Sequence, residues 1–289
     1  MEFIRNHGRR SRFSRLATVA AVTAVSALAL AGCAGGDGGT EGGGSGSDGD
    51  QTITFIPKQL NNPYTDVVLG GGEDGSEAAG FAASEVVGPL EASASSQVSF
   101  LNAETQAGPN LLGLAANDPD AVCPALGEAR DAGAKIVAFD SDTNPDCRDL
   151  FVSQVVAKDV ALIQLEIISE QIGGEGEIAI LSATANATNQ NEWISFMEEE
   201  LDSNPDYADI DLVTKVYGDD DDTKSFQEAQ GLLQAYPNLK GIISPTTVGI
   251  AATARYLSTS EYKGQVALTG LGLPNEMREF VKDGTVQEF

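Results

Sequence analysis

The sequence predicts an α/β fold made of two lobes, each built on a parallel sheet, with a ligand cleft between them. Three observations lead there. From Thr52 onward, short apolar segments alternate with segments of helical spacing, a pattern that calls for right-handed βαβ crossovers and parallel strands. The pattern runs through once, breaks near residues 153–158 and restarts, so two similar lobes are expected. The apolar segments also end on small polar groups, and in open parallel sheets ligands bind just beyond the carboxyl ends of the strands.

Taken in order, Thr52–Pro57 reads as a strand delivering Lys58. Thr65–Gly80 reads as a helix, although Gly70-Gly-Gly72 weakens it. Val86-Val87 opens a connection with no clear assignment. Ala94–Ala107 is helical, with Val98 and Leu101 on one face. Leu112–Ala116 is a strand ending before Asn117-Asp118. Asp120–Gly133 is a helix with Val122, Leu126 and Ala129 on its apolar face and Gly133 as a stop. Ile136–Phe139 reads as a strand buried on both faces that ends on Asp140 and Asp142. A short strand over Leu150–Gln154 leads to a helix over Lys158–Ile172. The second set is strand 177–182, helix 190–201, strand 211–217, helix 223–236, strand 240–244, helix 248–257, strand 265–270 and helix 274–282, with Phe289 closing a further strand. Its strand ends deliver Asn186–Gln190 and Pro245–Thr247.

The amino-terminal residues place this domain outside the cytoplasm. Arg5, Arg9, Arg10, Arg12 and Arg15 form a basic head, Leu16–Leu30 is an apolar run, and Leu30-Ala31-Gly32-Cys33 has the form of a bacterial lipobox. Residues 1–32 are therefore read as a lipoprotein signal peptide, with Cys33 lipidated. The Arg9-Arg10 pair leaves twin-arginine export open. Residues 33–51 are a Gly/Ser-rich tether, 52–155 the first lobe, 156–283 the second, and 284–289 the start of a crossing back to the first. Membrane contact is then through the lipid alone.

Of the 43 acidic and 17 basic residues, the leader holds five arginines and Glu2, so the remainder carries 42 acidic and 12 basic side chains, a net charge of −30. Such a surface repels phosphate backbones, which argues against a nucleic-acid partner. The only histidine, His7, lies in the leader. An exported chain without it has no Ser-His-Asp, Cys-His or His-zinc site. No GxGxxG follows a strand and there is no Walker motif, so no nucleotide cofactor is expected. Cys123 and Cys147, the two cysteines left beside Cys33, are expected to pair, as cysteines in exported domains do. The run Asp219–Asp222 lacks the glycine and closing glutamate of a calcium loop and reads better as an acidic lead-in to a helix; no metal is assigned.

A polyhydroxylated ligand offers hydroxyls and weakly apolar C–H faces. Carboxylates accept hydroxyl protons in charge-assisted bonds, which makes Asp140 the first candidate, with Asp142 and Asp118 behind it; Asp118 can equally cap the following helix. Lys58 can donate to a ring or hydroxyl oxygen. Asn62, Asn117, Asn189 and Gln190 offer both donor and acceptor, and the last two can also cap a helix. Tyr64 can stack on a C–H face or pack its own helix. Pro245 and Thr247 stand at a strand end, where they can also start a helix. Trp193 is read as core or cleft wall.

Eight short stretches, in order, resemble the rhamnose-binding lipoproteins of bacterial sugar ABC importers: Ile56–Lys58, Asn61–Tyr64, Ala116–Pro119, Phe139–Thr143, Ala185–Asn191, Tyr217–Asp222, Ser244–Ile250 and Gly284–Phe289. The autoinducer-2 receptor branch of the same type I periplasmic binding protein family is similar. The resemblance implies two Rossmann-like lobes joined by a three-segment hinge that close on one sugar and pass it, without catalysis, to a membrane permease. It places Lys58, Asp140, Asn189, Gln190, Pro245 and Thr247 where the autoinducer-2 branch binds its ligand. Asn189 replaces an aspartate and Thr247 an alanine of that branch, which favours a sugar such as rhamnose over the signal. A monomer is implied, and a carboxyl-terminal part beyond Phe289 is expected from the family pattern. A signal receptor working with a sensor protein, and a glycosidase using Asp140 with Asp118, are the competing readings.

Overall fold

The computed structural model describes residues 51–289; the signal peptide, lipidation at Cys33 and nearly all of the tether lie outside the described residues. The first sheet comprises β1 (Thr52–Ile56), β2 (Ala83–Val86), β3 (Leu111–Leu114), β4 (Lys135–Phe139) and β5 (Leu150–Val152) in the order β2-β1-β3-β4-β5. Every pairing is parallel. Helices α1 (Pro63–Ala78), α2 (Ala94–Ala107) and α3 (Cys123–Asp131) make its crossovers. After α4 (Ala157–Ile172), the second sheet holds β6 (Gly176–Ser182), β7 (Ile210–Tyr217), β8 (Leu239–Ser244) and β9 (Ala267–Gly270) in the order β7-β6-β8-β9, again all parallel. Its helices are α5 (Thr188–Ser203), α6 (Asp222–Ala235), α7 (Thr247–Thr259) and α8 (Pro274–Lys282). The two-sheet α/β architecture is the one the sequence predicts.

The strand order reverses beside β1 and β3 in the first sheet, and beside β6 and β8 in the second. A crevice opens at such switch points, outside the strands' carboxyl ends. Lys58 and Asn117 follow β1 and β3, and Asn189 and Pro245 follow β6 and β8.

Apolar side chains fill both faces of the second sheet. Leu181, Leu232, Ile242 and Leu257 pack on the α6–α7 side, and Leu165, Ile178, Met197 and Ile243 on the α4–α5 side. The first sheet has one filled face, where Leu101, Leu112, Leu126 and Ile136 meet under α2 and α3. Its other face carries α1 beside an apolar hollow of about 320 Å³ rimmed by Phe55, Val137, Phe139 and Val152.

That hollow corrects the expectation for β4. Ile136 and Ala138 are fully buried, but Val137 and Phe139 are only partly so. The unassigned connection at Val86 is strand β2, exposed along most of its length. Ala83-Ser-Glu-Val86 has no apolar run to announce it, and pairing with β1 alone makes it a strand. The glycines of α1 do not break the helix; Gly72 lets it approach the sheet, since a Cβ there would sit 3.0 Å from the Phe55 ring. The expected strand ending at Phe289 is absent. The chain turns at Gly284 (φ 76°) and lays Val286, fully buried, on the second core, its N–H bonded to the Phe280 carbonyl at 3.0 Å.

Cys123, at the start of α3, is disulfide-bonded to Cys147, in the turn after β4, with Cα atoms 5.3 Å apart. The loop it braces begins at Asp140. Replacing both cysteines by serine releases a loop 24 residues long, which in the chain-entropy account costs about 3 kcal/mol. In a domain of this size that is a melting-temperature drop of about 6–12 °C, and dithiothreitol acting on the wild-type chain reproduces it. Among the described residues no helix is long and apolar enough to cross a membrane.

Candidate functional site

The polar strand ends of both sheets meet around a cavity of about 360 Å³. Its wall includes the Asp140 carboxylate, one residue beyond β4. Asp140 is in the left-handed region (φ 58°), a conformation that costs a side chain energy and that structures hold mainly where function demands it. The loop behind it resists relaxation. Ala116 N–H bonds the Ser141 carbonyl at 2.9 Å, and Asn144 N–H the Pro119 carbonyl at 2.9 Å.

Four donors converge on this carboxylate. Oδ1 accepts from the Tyr64 hydroxyl (3.0 Å), Gln154 Nε2 (2.8 Å) and Asn189 Nδ2 (3.3 Å). Oδ2 faces Lys58 Nζ at 3.2 Å, with the two side chains only 12% and 9% exposed. Lys58 also donates to Asn189 Oδ1 at 3.1 Å. A carboxylate has about four acceptor positions, so Oδ1 is crowded while Oδ2 keeps room for another donor. Burial, then the charge of Asp140 and the bond to it, raise the Tyr64 pKa far above its ordinary value, so Tyr64 remains a donor at any physiological pH. Because Lys58, Tyr64 and Asp140 come from the first-sheet half and Asn189 from the second, this cluster bridges the two halves.

Each participant is held from behind. Asn117 Nδ2 donates to the Lys58 carbonyl at 2.7 Å, and its own N–H bonds Gln97 Oε1 at 3.0 Å. Gln97 is fully buried and spans the Pro57 and Ala115 carbonyls at 2.9 and 2.8 Å. Asn117 therefore seats Lys58 and does not line the cavity. Gln190 accepts from Ser182 Oγ (2.6 Å) and Ala183 N–H (2.8 Å), which leaves its amide nitrogen for the cavity. Asn62 caps α1 by accepting from the N–H groups of Tyr64 and Thr65 at 3.0 and 3.3 Å.

Of the residues expected from sequence, the cavity wall contains Lys58, Asn62, Tyr64, Asp140, Asn189, Gln190, Pro245 and Thr247. Asp118 and Asp142 are not in it. Asp118 accepts from the N–H groups of Asp120 and Ala121 at 3.0 and 2.9 Å, the capping role. Asp142 is gripped by Arg148 Nε and Nη2 at 2.6 and 2.8 Å. Trp193 is both core and wall, 4% exposed. The sequence reading missed Gln154, which lies in the break it recognised between the two sets, and the Gly270–Leu273 strand end, whose glycine is a signal it passed over. It also missed Asp220, hidden in an acidic run.

A wider groove of about 650 Å³ opens along Asp219–Asp222. Three of its four aspartates are engaged by Lys224, the α6 N-terminus and Arg255. Among the described residues no group of three or more His, Cys, Asp or Glu could hold a metal ion.

Two parallel-sheet halves whose strand ends jointly line one cavity define a two-lobed ligand-binding fold. The chain belongs to the periplasmic binding protein domain family, whose model matches residues 53–289. A crystallised sugar ABC transporter protein from Actinomyces odontolyticus is 71% identical to it, over 82% of this chain and 76% of that one, with a TM-score of 0.61. An ABC transporter solute-binding protein from Clostridium phytofermentas, with bound L-rhamnose, is 38% identical over 80% of this chain and 71% of its own, with a TM-score of 0.76. LsrB from Clostridium saccharobutylicum, in complex with AI-2, is 26% identical over 81% and 74%, with a TM-score of 0.77.

Proposed function

We propose that this chain captures a neutral monosaccharide outside the cytoplasm and delivers it to the permease of an ABC importer, and that the sugar is rhamnose. The observation that carries the reading is the Lys58–Asp140–Asn189 bridge, which ties both halves to one buried carboxylate inside a cavity of 360 Å³. Small-molecule sites run from about 300 to 1,000 Å³, so this one suits a single sugar ring. A hydroxyl reaching Asp140 Oδ2 gains a charge-assisted bond, and Lys58 and the Gln190 amide donate to ring or hydroxyl oxygens. Trp193 and Pro245 offer apolar surface to the C–H face. The rhamnose-bound relative supports the choice of sugar.

The receptor acts as a monomer without cofactor or catalysis, held to the membrane by the lipid on Cys33. Its lobes are residues 52–155 and 156–283. Closure around the ligand is a hinge motion. The glycosidase reading needs Asp118 beside Asp140 across a glycosidic bond, and Asp118 is committed to its backbone cap. A second reading, a receptor for an AI-2-like signal, draws on the AI-2-bound relative.

The test is a thermal-shift and calorimetric panel of L-rhamnose, D-ribose and AI-2 on the purified chain. A ligand that binds only the folded state raises the melting temperature by mass action. A shift with rhamnose alone is expected. A shift with ribose alone rejects rhamnose and keeps the sugar receptor, a shift with AI-2 alone selects the signal reading, and silence across the panel overturns both.

A further inference from the structure

We propose that Asp220 is the second ligand-holding carboxylate: it stands in the cavity wall on the half opposite Asp140, accepts a hydroxyl proton of the ligand, and restricts the site to neutral sugars over sugar acids and sugar phosphates. This rests on the sugar-receptor reading above and narrows its substrate class.

Four aspartates follow one another from Asp219, and three have partners outside the cavity. Asp219 pairs with Lys224, Asp221 accepts the Lys224 N–H at 2.7 Å, and Asp222 grips Arg255 through bonds of 2.6 and 2.8 Å. Asp220 alone joins the cavity wall. The backbone turns it there: Asp219 and Asp220 are both left-handed, at φ 55° and 50°, a region aspartate enters more readily than most side chains. The loop is held so by the N–H groups of Gly218 and Asp219, bonded to the Ser182 and Ala183 carbonyls at 2.9 and 2.8 Å, and by Gln59, which donates to the Asp220 carbonyl at 3.1 Å.

The Asp220 carboxylate accepts from the Thr246 hydroxyl and from no other protein donor among the described residues. A carboxylate offers about four acceptor positions, so most of this one's capacity is unused. Across the cavity it faces Lys58 and Asp140; Asp219 lies beside it in the loop, and Lys224 and Glu276 stand on the outer groove. Burial raises its pKa; the Thr246 bond and Lys58 oppose the rise, and Asp140 and Asp219 add to it. One ammonium against two carboxylates leaves no spare positive charge for an anionic ligand, whereas hydroxyl donors suit both acids.

An acid whose folded pKa lies above its unfolded value adds stability as pH falls through the folded pKa and loses it as pH rises, so ionising Asp220 weighs against the ligand-free fold.

The experiment compares wild type, Asp220→Asn, Asp220→Ala and the surface control Asp222→Asn. Each is melted without ligand at pH 7, then titrated with L-rhamnose, D-ribose and D-galacturonate from pH 5 to 8. Expected are an unliganded melting temperature for Asp220→Asn at or above wild type, at least tenfold weaker binding of the sugar that wild type takes, a flatter acid limb in its pH profile, and no galacturonate binding by wild type. Asp222→Asn should bind as wild type does. Asp220→Asn binding within twofold of wild type, or galacturonate bound as tightly as neutral sugar, overturns the proposal and leaves the receptor reading standing. Wild type silent to every sugar overturns both. Should the alanine variant fail to fold, the isosteric asparagine decides.

Discussion

Asp140→Asn is expected to weaken sugar binding by at least about 100-fold, the largest loss from any single side chain in the cavity. Asparagine tolerates the left-handed backbone at this position, so the loop should persist. What disappears is the charge that four donors address: Lys58 at 3.2 Å from Oδ2, and Tyr64, Gln154 and Asn189 on Oδ1. A hydrogen bond to a charged group contributes about 1.5–3 kcal/mol, and removing one partner of a buried pair costs about 3–5 kcal/mol. About 2.8 kcal/mol already corresponds to a factor of 100 in affinity. Calorimetry with the sugar that shifts wild type reads the effect. A dissociation constant within threefold of wild type would show that the bridge at Asp140 belongs to the ligand-free fold alone.

The second large effect is on stability. Gly270, at the end of β9, has φ 151°, and a Cβ there would lie 1.9 Å from the Ser244 carbonyl oxygen. The obstacle is backbone, so no side chain can turn aside to admit it. The same carbonyl accepts the Leu271 N–H at 3.1 Å, and Ser244 leads directly into Pro245 and Thr247. Gly270→Ala must therefore push β9 away from β8 and displace one wall of the cavity. Strained dihedrals and overpacking each cost about 1–3 kcal/mol, a combined drop of about 12–24 °C at the top of those ranges in a domain of this size. Gly231→Ala provides the contrast. Gly231 lies inside α6 with nothing within 4 Å of its would-be Cβ, so the change should leave the melting temperature unchanged or raise it, alanine being the better helix former by about 1 kcal/mol. Equal melting of Gly270→Ala and wild type would refute the close β8–β9 approach.

Much of the fold was legible because its determinants are local. Ala94–Ala107 shows its apolar face and its bounds directly, and its end coincides with Gly108 in the left-handed cap. The parallel crossovers followed from the alternation of elements. β2 was hidden because three of its four residues are exposed and carry no alternation. The exposure of Val137 and Phe139 was hidden because an apolar run tells that a strand is apolar on both faces, not whether anything covers each face.

The candidate site divides along the same line. Strand termini follow from hydrophobic periodicity, so the expectation that carboxylates, amides and a lysine stand at strand ends could be read before folding. Which of those groups line the cavity depends on long-range packing. Asp118 and Asp142 are claimed by nearby N–H groups and by Arg148, partners that form once the loops are packed. Asp140 and Asp220 line the cavity because packed loops hold both in left-handed conformations, which aspartate tolerates better than most side chains.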